Sequence, residues 1–252
     1  MDNNSEELPL SNPDIPFSKE MRKVTRDVHD LSDALVNAKL VLAISDTNIW
    51  IEGLLVFYEV FKFLELCMEE CLGNKFLQQY NLPEMKRTAA FESDLQHYLG
   101  VDWKGNYKPR QSVVNYLDHL AELKEKNDTL LIAYVYHLYL GVLSGGQLIN
   151  KKRQLSPFKS GYHDQVLCFP PEANVSELKR QIKAILDEQS SALSSLTRRQ
   201  LLGESRRVFH LNNSLIKSID QKRMTHVLIK KLLYLIVICF LIKKLFDYLM
   251  VG

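Results

Sequence analysis

The string TLLIAYVYHLYLGVLSGGQLINKK, Thr129 to Lys152, constrains the fold more than any other stretch of the chain. Its first half is an apolar run of helical length, and a helix that is apolar all round belongs inside a core. Its second half carries Gly141, Gly145 and Gly146 with no proline between them. Each glycine in a helix interior costs roughly 0.5–1 kcal/mol relative to alanine. Two readings follow. The string is a loop between two helices, or it is one helix that bends and lets something flat and bulky touch its backbone.

The remaining sequence supplies helices to surround that run. Glycine (10) and proline (8) are scarce among the 252 residues, and alternating β-branched runs are almost absent, so the expected fold is all-α. A first helix is expected from an N-cap at Ser18 through KEMRKVTRDVHDLSDALVNAK. Ser45-Asp46-Thr47-Asn48 caps the long apolar segment IWIEGLLVFYEVFKFLELCMEEC, which stops at Gly73-Asn74. Pro83 opens LPEMKRTAAFESDLQHYL, closed by Gly100, and Pro109 opens PRQSVVNYLDHLAELKEK. Asn127-Asp128-Thr129 caps the glycine-bearing helix, and a loop runs from about Ser156 to Pro171. Asn174 or Ser176 starts ELKRQIKAILDEQ, and Thr197 to Gln200 has capping-box spacing at the head of the next long helix. These elements make one helical domain over residues 17–222, after a flexible arm at 1–16 and before a hydrophobic tail at 223–252.

Charge and cysteine usage exclude several functions. A net charge of +2, with basic residues spread along the helices, gives no footprint for nucleic acid. Cys67, Cys71, Cys168 and Cys239 show no metal spacing and no disulfide framework, and the N-terminus lacks the regions of a signal peptide. The chain reads as a reduced, cytosol-facing protein. Its end differs from the rest: LLYLIVICFLI, Leu232 to Ile242, is uncharged and flanked by Lys230-Lys231 and Lys243-Lys244. That run covers only about 16 Å as a helix, against roughly 30 Å of bilayer core. A short or tilted tail anchor, an interfacial helix and a last core helix all remain open, with membrane association the favoured reading.

Of seven histidines, His29 has the most suggestive surroundings. Asp33 follows it by one turn, where a carboxylate can accept one imidazole proton and orient the ring for a metal. Arg26 precedes it, and Arg22 lies one turn before that. An iron porphyrin needs one axial nitrogen and positive partners for two propionates. A glycine helix offers the complementary surface, backbone that a macrocycle can approach closely.

These strings together resemble the heme oxygenase family. RKVTRDVH is similar to its proximal-histidine helix and AYVYHLYLGVLSGGQ to its distal glycine helix. LPEMKRTAAFESDL resembles its central segment and FHLNNSLI its closing helix, all in family order over 18 to about 216. The resemblance implies a single domain holding heme between a proximal helix and a kinked distal one. It makes His29 the iron ligand and places Gly141, Ser144, Gly145 and Gly146 on the distal face. Arg22, Tyr136, Lys179 and Lys183 become propionate partners, and Tyr58, Phe209 and Asn212 pocket or distal-network residues. His119, His137 and His210 receive no ligand role, and Cys168 reads as a structural thiol.

The implied reaction is cleavage of heme, substrate and cofactor at once, to biliverdin, carbon monoxide and ferrous iron. Electrons would come from a membrane-bound NADPH-cytochrome reductase. The tail would hold a monomer on the cytosolic face of the endoplasmic reticulum. One departure stands out. Where the family has aspartate after the first distal glycine, this chain has Val142, which can neither accept nor relay a hydrogen bond. Leu138 replaces a polar family residue one turn earlier, and Tyr134 a histidine. Slower turnover or mixed biliverdin isomers are expected. Two other readings are a non-catalytic heme sensor or carrier, and a tail-anchored interaction protein without heme.

Overall fold

The structure, a computed structural model, describes residues 11, 14–44, 46–71, 73–155, 161–170, 173–219 and 221–251. No strand occurs among them. Two helices, α1 (Phe17–Val24) and α2 (Arg26–Ala43), occupy the stretch where the sequence suggested one. The break falls at Thr25, whose hydroxyl donates 2.8 Å back to the Met21 carbonyl. Such back-bonding bends helices. Pro16 stands at the N-cap of α1 in place of Ser18, which is drawn instead to α10: its N–H and hydroxyl donate to Asp187 at 2.7 and 2.8 Å.

The long apolar segment is α3 (Thr47–Glu70), capped by Asp46 as its sequence predicts, and Asn74 caps the short α4 (Lys75–Gln78). Pro83 does not open the next α-helix. It starts a single 3₁₀ turn, Pro83–Met85, and α5 (Thr88–Leu99) begins only after Arg87. The buried Arg87 guanidinium supplies the reason, donating to the carbonyls of Glu84, Met85 and Cys168. A short α6 (Trp103–Asn106) precedes α7 (Gln111–Asn127), and Asp128–Leu130 forms a 3₁₀ turn before α8 (Leu131–Gly141). A π-helical turn, Val142–Gly146, joins α8 to α9 (Gln147–Gln154) without a loop.

After the connector come α10 (Val175–Ser190), α11 (Ser195–Ser218) and α12 (Gln221–Val251). Asn174 caps α10. The capping box expected at Thr197 is displaced: Ser194 is the N-cap, accepting 3.0 Å from the Thr197 N–H, because it sits three residues before a free helical donor.

Packing explains the order. Eight residues of α8, Leu131 to Tyr136 with Leu138 and Tyr139, are buried, so this helix is the axis of the core. Each fully buried Leu, Ile or Val contributes about 1.5–3 kcal/mol, enough to offset the glycines that follow. Helix α11 packs on both α2 and α8, α3 on α5 and α7, and α1 on α10 and α11. The buried carboxylate of Glu65 accepts from the Arg87 and Thr88 N–H groups and from the Tyr139 hydroxyl. Asp94 accepts from the Gln165 and Val166 N–H groups and the Tyr162 hydroxyl, fastening the connector to α5.

Of the N-terminal arm, residues 1–10, 12 and 13 lie outside the described residues. Ser11 is fixed rather than free: its hydroxyl meets Glu20 at 3.2 Å and Arg198 at 2.9 Å. Residues 156–160, 171 and 172 of the expected loop are likewise outside the description. The tail is not a last core helix. Leu232 to Leu235, Ile236, Val237 and Ile238 are each more than half exposed, while Lys231 reaches back to the Val41 carbonyl of α2 at 2.6 Å.

Candidate functional site

Helix α11 packs on α2 and α8 alike, and its Phe209 touches one imidazole from each, His29 and His137, so the candidate slot is the region between α2 and α8 with Phe209 of α11 as its floor. Helix α2 is seated by Val28 and Ser32, both buried, with the Ser32 hydroxyl donating 2.8 Å to Asn213 of α11. Arg206 of α11 grips Asp27 with two bonds of 2.7 and 2.9 Å. This docking turns His29 outward, exposed, with Nδ1 3.3 Å from Asp33. Asp33 therefore faces Nδ1 rather than Nε2. The ring lies 5.3 Å from that of Phe209 on the floor.

Across the slot, Gly141 ends α8 and Ser144 and Gly145 lie in the π turn, all three exposed. A β-carbon added at Gly141 or Gly145 would meet nothing within 4 Å, so both leave open space beside bare backbone. Gly146 differs: it is buried, and a β-carbon there would lie 3.5 Å from Leu167 and from Val142. It serves close packing inside the fold. The string is therefore one helix that bends, by a π turn of the kind frequent at functional sites.

Tyr136 is buried on α8. Burial, then Asp187, pushes its phenol above the usual range, while Arg22 opposes the shift. The Arg22 charge is thus felt at the Tyr136 phenol, although the sequence reading assigns the two residues to different propionates. Lys179 and Lys183 stand on α10, which packs on α1 and α8; Lys183 is exposed and Lys179 half-buried. Asn212 turns toward α7, accepting 3.1 Å from Tyr116, and its neighbour Asn213 is the residue that reaches α2. Tyr58 donates 2.6 Å to Glu92 and packs on Trp103, between α3, α5 and α6. Tyr134 donates 2.6 Å to Glu204, which also meets His119 at 2.9 Å. His210 is exposed on α11. Of the basic triplet 151–153, Arg153 is bound to Asp164 at 2.8 Å and stacked on Trp50, and Lys152 reaches Asn37 of α2 at 3.3 Å.

One slot residue carries no role in the sequence reading. The His137 ring lies 5.1 Å from Phe209, on the same ring that His29 touches. Its Nε2 is enclosed and has no hydrogen-bond partner. An unsatisfied buried polar group costs about 1–3 kcal/mol. Burial, then His29, pulls its pKa down to about 3, so the imidazole is neutral. The only signal in sequence is a polar residue one turn before Gly141 in an otherwise apolar helix.

The heme oxygenase family model matches residues 15–218, from α1 to the end of α11. A heme oxygenase of Rhodella violacea is 25% identical over 209 residues, 82% of this chain and 88% of that protein. Human heme oxygenase 1 is 26% identical over 217 residues, 83% and 73% of the two chains. The fold overlays on a heme oxygenase 2 of Chlamydomonas reinhardtii, solved without heme, with a TM-score of 0.74 at 30% identity, covering 82% of this chain and 98% of the other. It also overlays on a cyanobacterial heme oxygenase-1 from Synechocystis, solved with heme, with a TM-score of 0.78 at 21% identity, covering 88% and 100%. A family match that spans every helix around the slot fixes the assignment: this chain belongs to the heme oxygenase family.

Proposed function

We propose that the chain is a heme oxygenase that cleaves heme to biliverdin, carbon monoxide and ferrous iron. The carrying observation is the slot itself, with an outward imidazole on one wall and bare glycine backbone on the other. An iron porphyrin fits the residues present. Asp33 takes one nitrogen of His29 and leaves the other, Gly141 and Gly145 leave open space, and the enclosed His137 nitrogen lacks a partner.

Bound heme supplies an iron that takes dioxygen and a ring edge that is oxidised. His29 would hold that iron, oriented by Asp33. Arg22, Lys179 and Lys183 would supply cationic partners for the propionates, with the Tyr136 hydroxyl a further polar partner. Gly141, Ser144 and Gly145 let the macrocycle lie against backbone, while Phe209 closes the floor. Leu138 is buried and Val142 partly so, and neither can hold a proton or order water. Slow turnover or relaxed choice among the ring's meso carbons follows from that wall.

Electrons come, in this reading, from a membrane-bound NADPH-cytochrome reductase. The support for a shared membrane is α12, whose exposed side chains from Leu232 to Ile242 are apolar and whose lysines flank them. In the same reading the tail holds the chain, as a monomer, on the cytosolic face of the endoplasmic reticulum. The test is direct. Hemin-loaded protein receives NADPH and reductase with catalase present, and spectra and products are followed together. Loss of the Soret band with biliverdin appearing is the expected result. A Soret band that persists through reduction and oxygen exposure would make the chain a heme holder instead.

A further inference from the structure

Gly141 faces open space, and His137 precedes it by four residues within the regular part of α8. Residues so spaced share one face of a helix, and helical side chains lean toward the N-terminus. The His137 ring therefore stands on the face that Gly141 leaves bare, and it touches the same Phe209 ring, at the floor of the slot, that His29 touches from α2. The neighbouring polar groups of α8 are spent elsewhere: Tyr134 on Glu204 and Tyr139 on Glu65. Ser144 lies on the exposed strip, open to water, whereas the His137 nitrogen is enclosed. A ring serving only to fill space would not need that nitrogen.

We propose that His137 is the distal hydrogen-bonding residue of this chain, its Nε2–H donating to the exogenous ligand that heme iron takes on the side away from His29. The inference rests on the heme reading above. A neutral imidazole carries one N–H and can place it on either nitrogen. With Nε2 protonated, His137 becomes the donor that Val142 and Leu138 cannot be. The chain has then moved its distal polar group along α8 rather than lost it. Phe209, touching both imidazoles, sets their separation.

The experiment loads full-length wild type, His137→Phe and His137→Gln with hemin and titrates each with fluoride. Fluoride binds ferric iron and accepts hydrogen bonds, and its binding is read by absorption without turnover. All three proteins should take up hemin. The fluoride Kd should rise roughly five- to tenfold in His137→Phe, the worth of one hydrogen bond, and return toward wild type in His137→Gln. The C–O stretch of the ferrous carbonyl complex should move to higher frequency in the Phe variant alone. Equal fluoride affinity in wild type and His137→Phe would overturn the proposal. So would a low-spin wild type that resists fluoride and becomes high-spin in His137→Phe, because His137 would then be an iron ligand. A wild type that leaves the hemin spectrum unchanged would sink the heme reading itself, and this inference with it.

Discussion

The two walls of the slot are built by opposite means. On the α2 wall, polar groups are numerous and partnered: His29 with Asp33, Ser32 with Asn213, Asp27 with Arg206. On the α8 wall, apolar burial fixes the helix, and the hydroxyls of Tyr139 and Tyr134 are drawn away from the slot to Glu65 and Glu204. One wall is positioned by hydrogen bonds and presents an exposed imidazole. The other is positioned by packing and presents bare backbone, with a single enclosed imidazole. Holding heme and handling what binds to its iron are thus separable, and substitutions on the two walls should fail differently.

The largest effect is expected from His29→Ala. With Nδ1 already committed to Asp33, this side chain has no structural partner to lose beyond the Phe209 contact. The fold should survive, as judged by unchanged helical circular dichroism. The spectrum of added hemin should lose its imidazole-ligated form, and turnover should fall by orders of magnitude. An unaltered hemin spectrum would break the comparison by removing the α2 wall from heme binding.

Val142→Asp probes the opposite wall and should act on the products more than on affinity. Val142 is partly exposed beside Gly146, so a near-isosteric carboxylate can be accommodated with water. Hemin affinity should change little, while the share of one biliverdin isomer and the turnover rate should rise several-fold. Chromatography of the isomers decides it. If wild type already yields one isomer at a rate the variant does not improve, the apolar wall is not what limits this chain.

Much of this was legible in sequence, for a physical reason in each case. The i, i+4 pair of His29 and Asp33 needs only a helix to bring it together. The glycines of 141–146 marked a loop or a bend in an apolar run, and the π turn decides for the bend. Features that depend on distant neighbours were not legible. Ser194 displaces Thr197 as cap, and Arg87 delays α5, because of bonds no local pattern encodes. Asn212 and Asn213 are adjacent letters, yet only the packing of α11 sends one to Tyr116 and the other to Ser32. His137 looked like a lone histidine in a core helix until Phe209 was seen to join it to His29.

The smallest effect sharpens the contrast from the side of pH. The Arg206 guanidinium, by its hydrogen bonds above all, lowers the Asp27 carboxyl from 3.8 to about 2. A depressed folded-state pKa adds stability above the unfolded value, and that stability is lost as pH falls through the folded value. The contribution should be whole above about pH 4, decline between 3.8 and 2, and vanish below. Because the Asp27 side chain is 67% exposed, solvent screens the pair, and its worth stays within the roughly 0–1 kcal/mol of surface ion pairs. Urea unfolding of wild type and Asp27→Asn should therefore differ slightly at pH 6, and the gap should narrow by pH 3. High salt at pH 6 should narrow it as well. A gap of the same size at pH 3 would mean that the α2 wall is seated by packing after all, as the α8 wall is. A narrowing gap would make the Asp27–Arg206 pair one weak, solvent-facing bond that can be lost while the buried Ser32–Asn213 bond keeps α2, and His29 with it, in place.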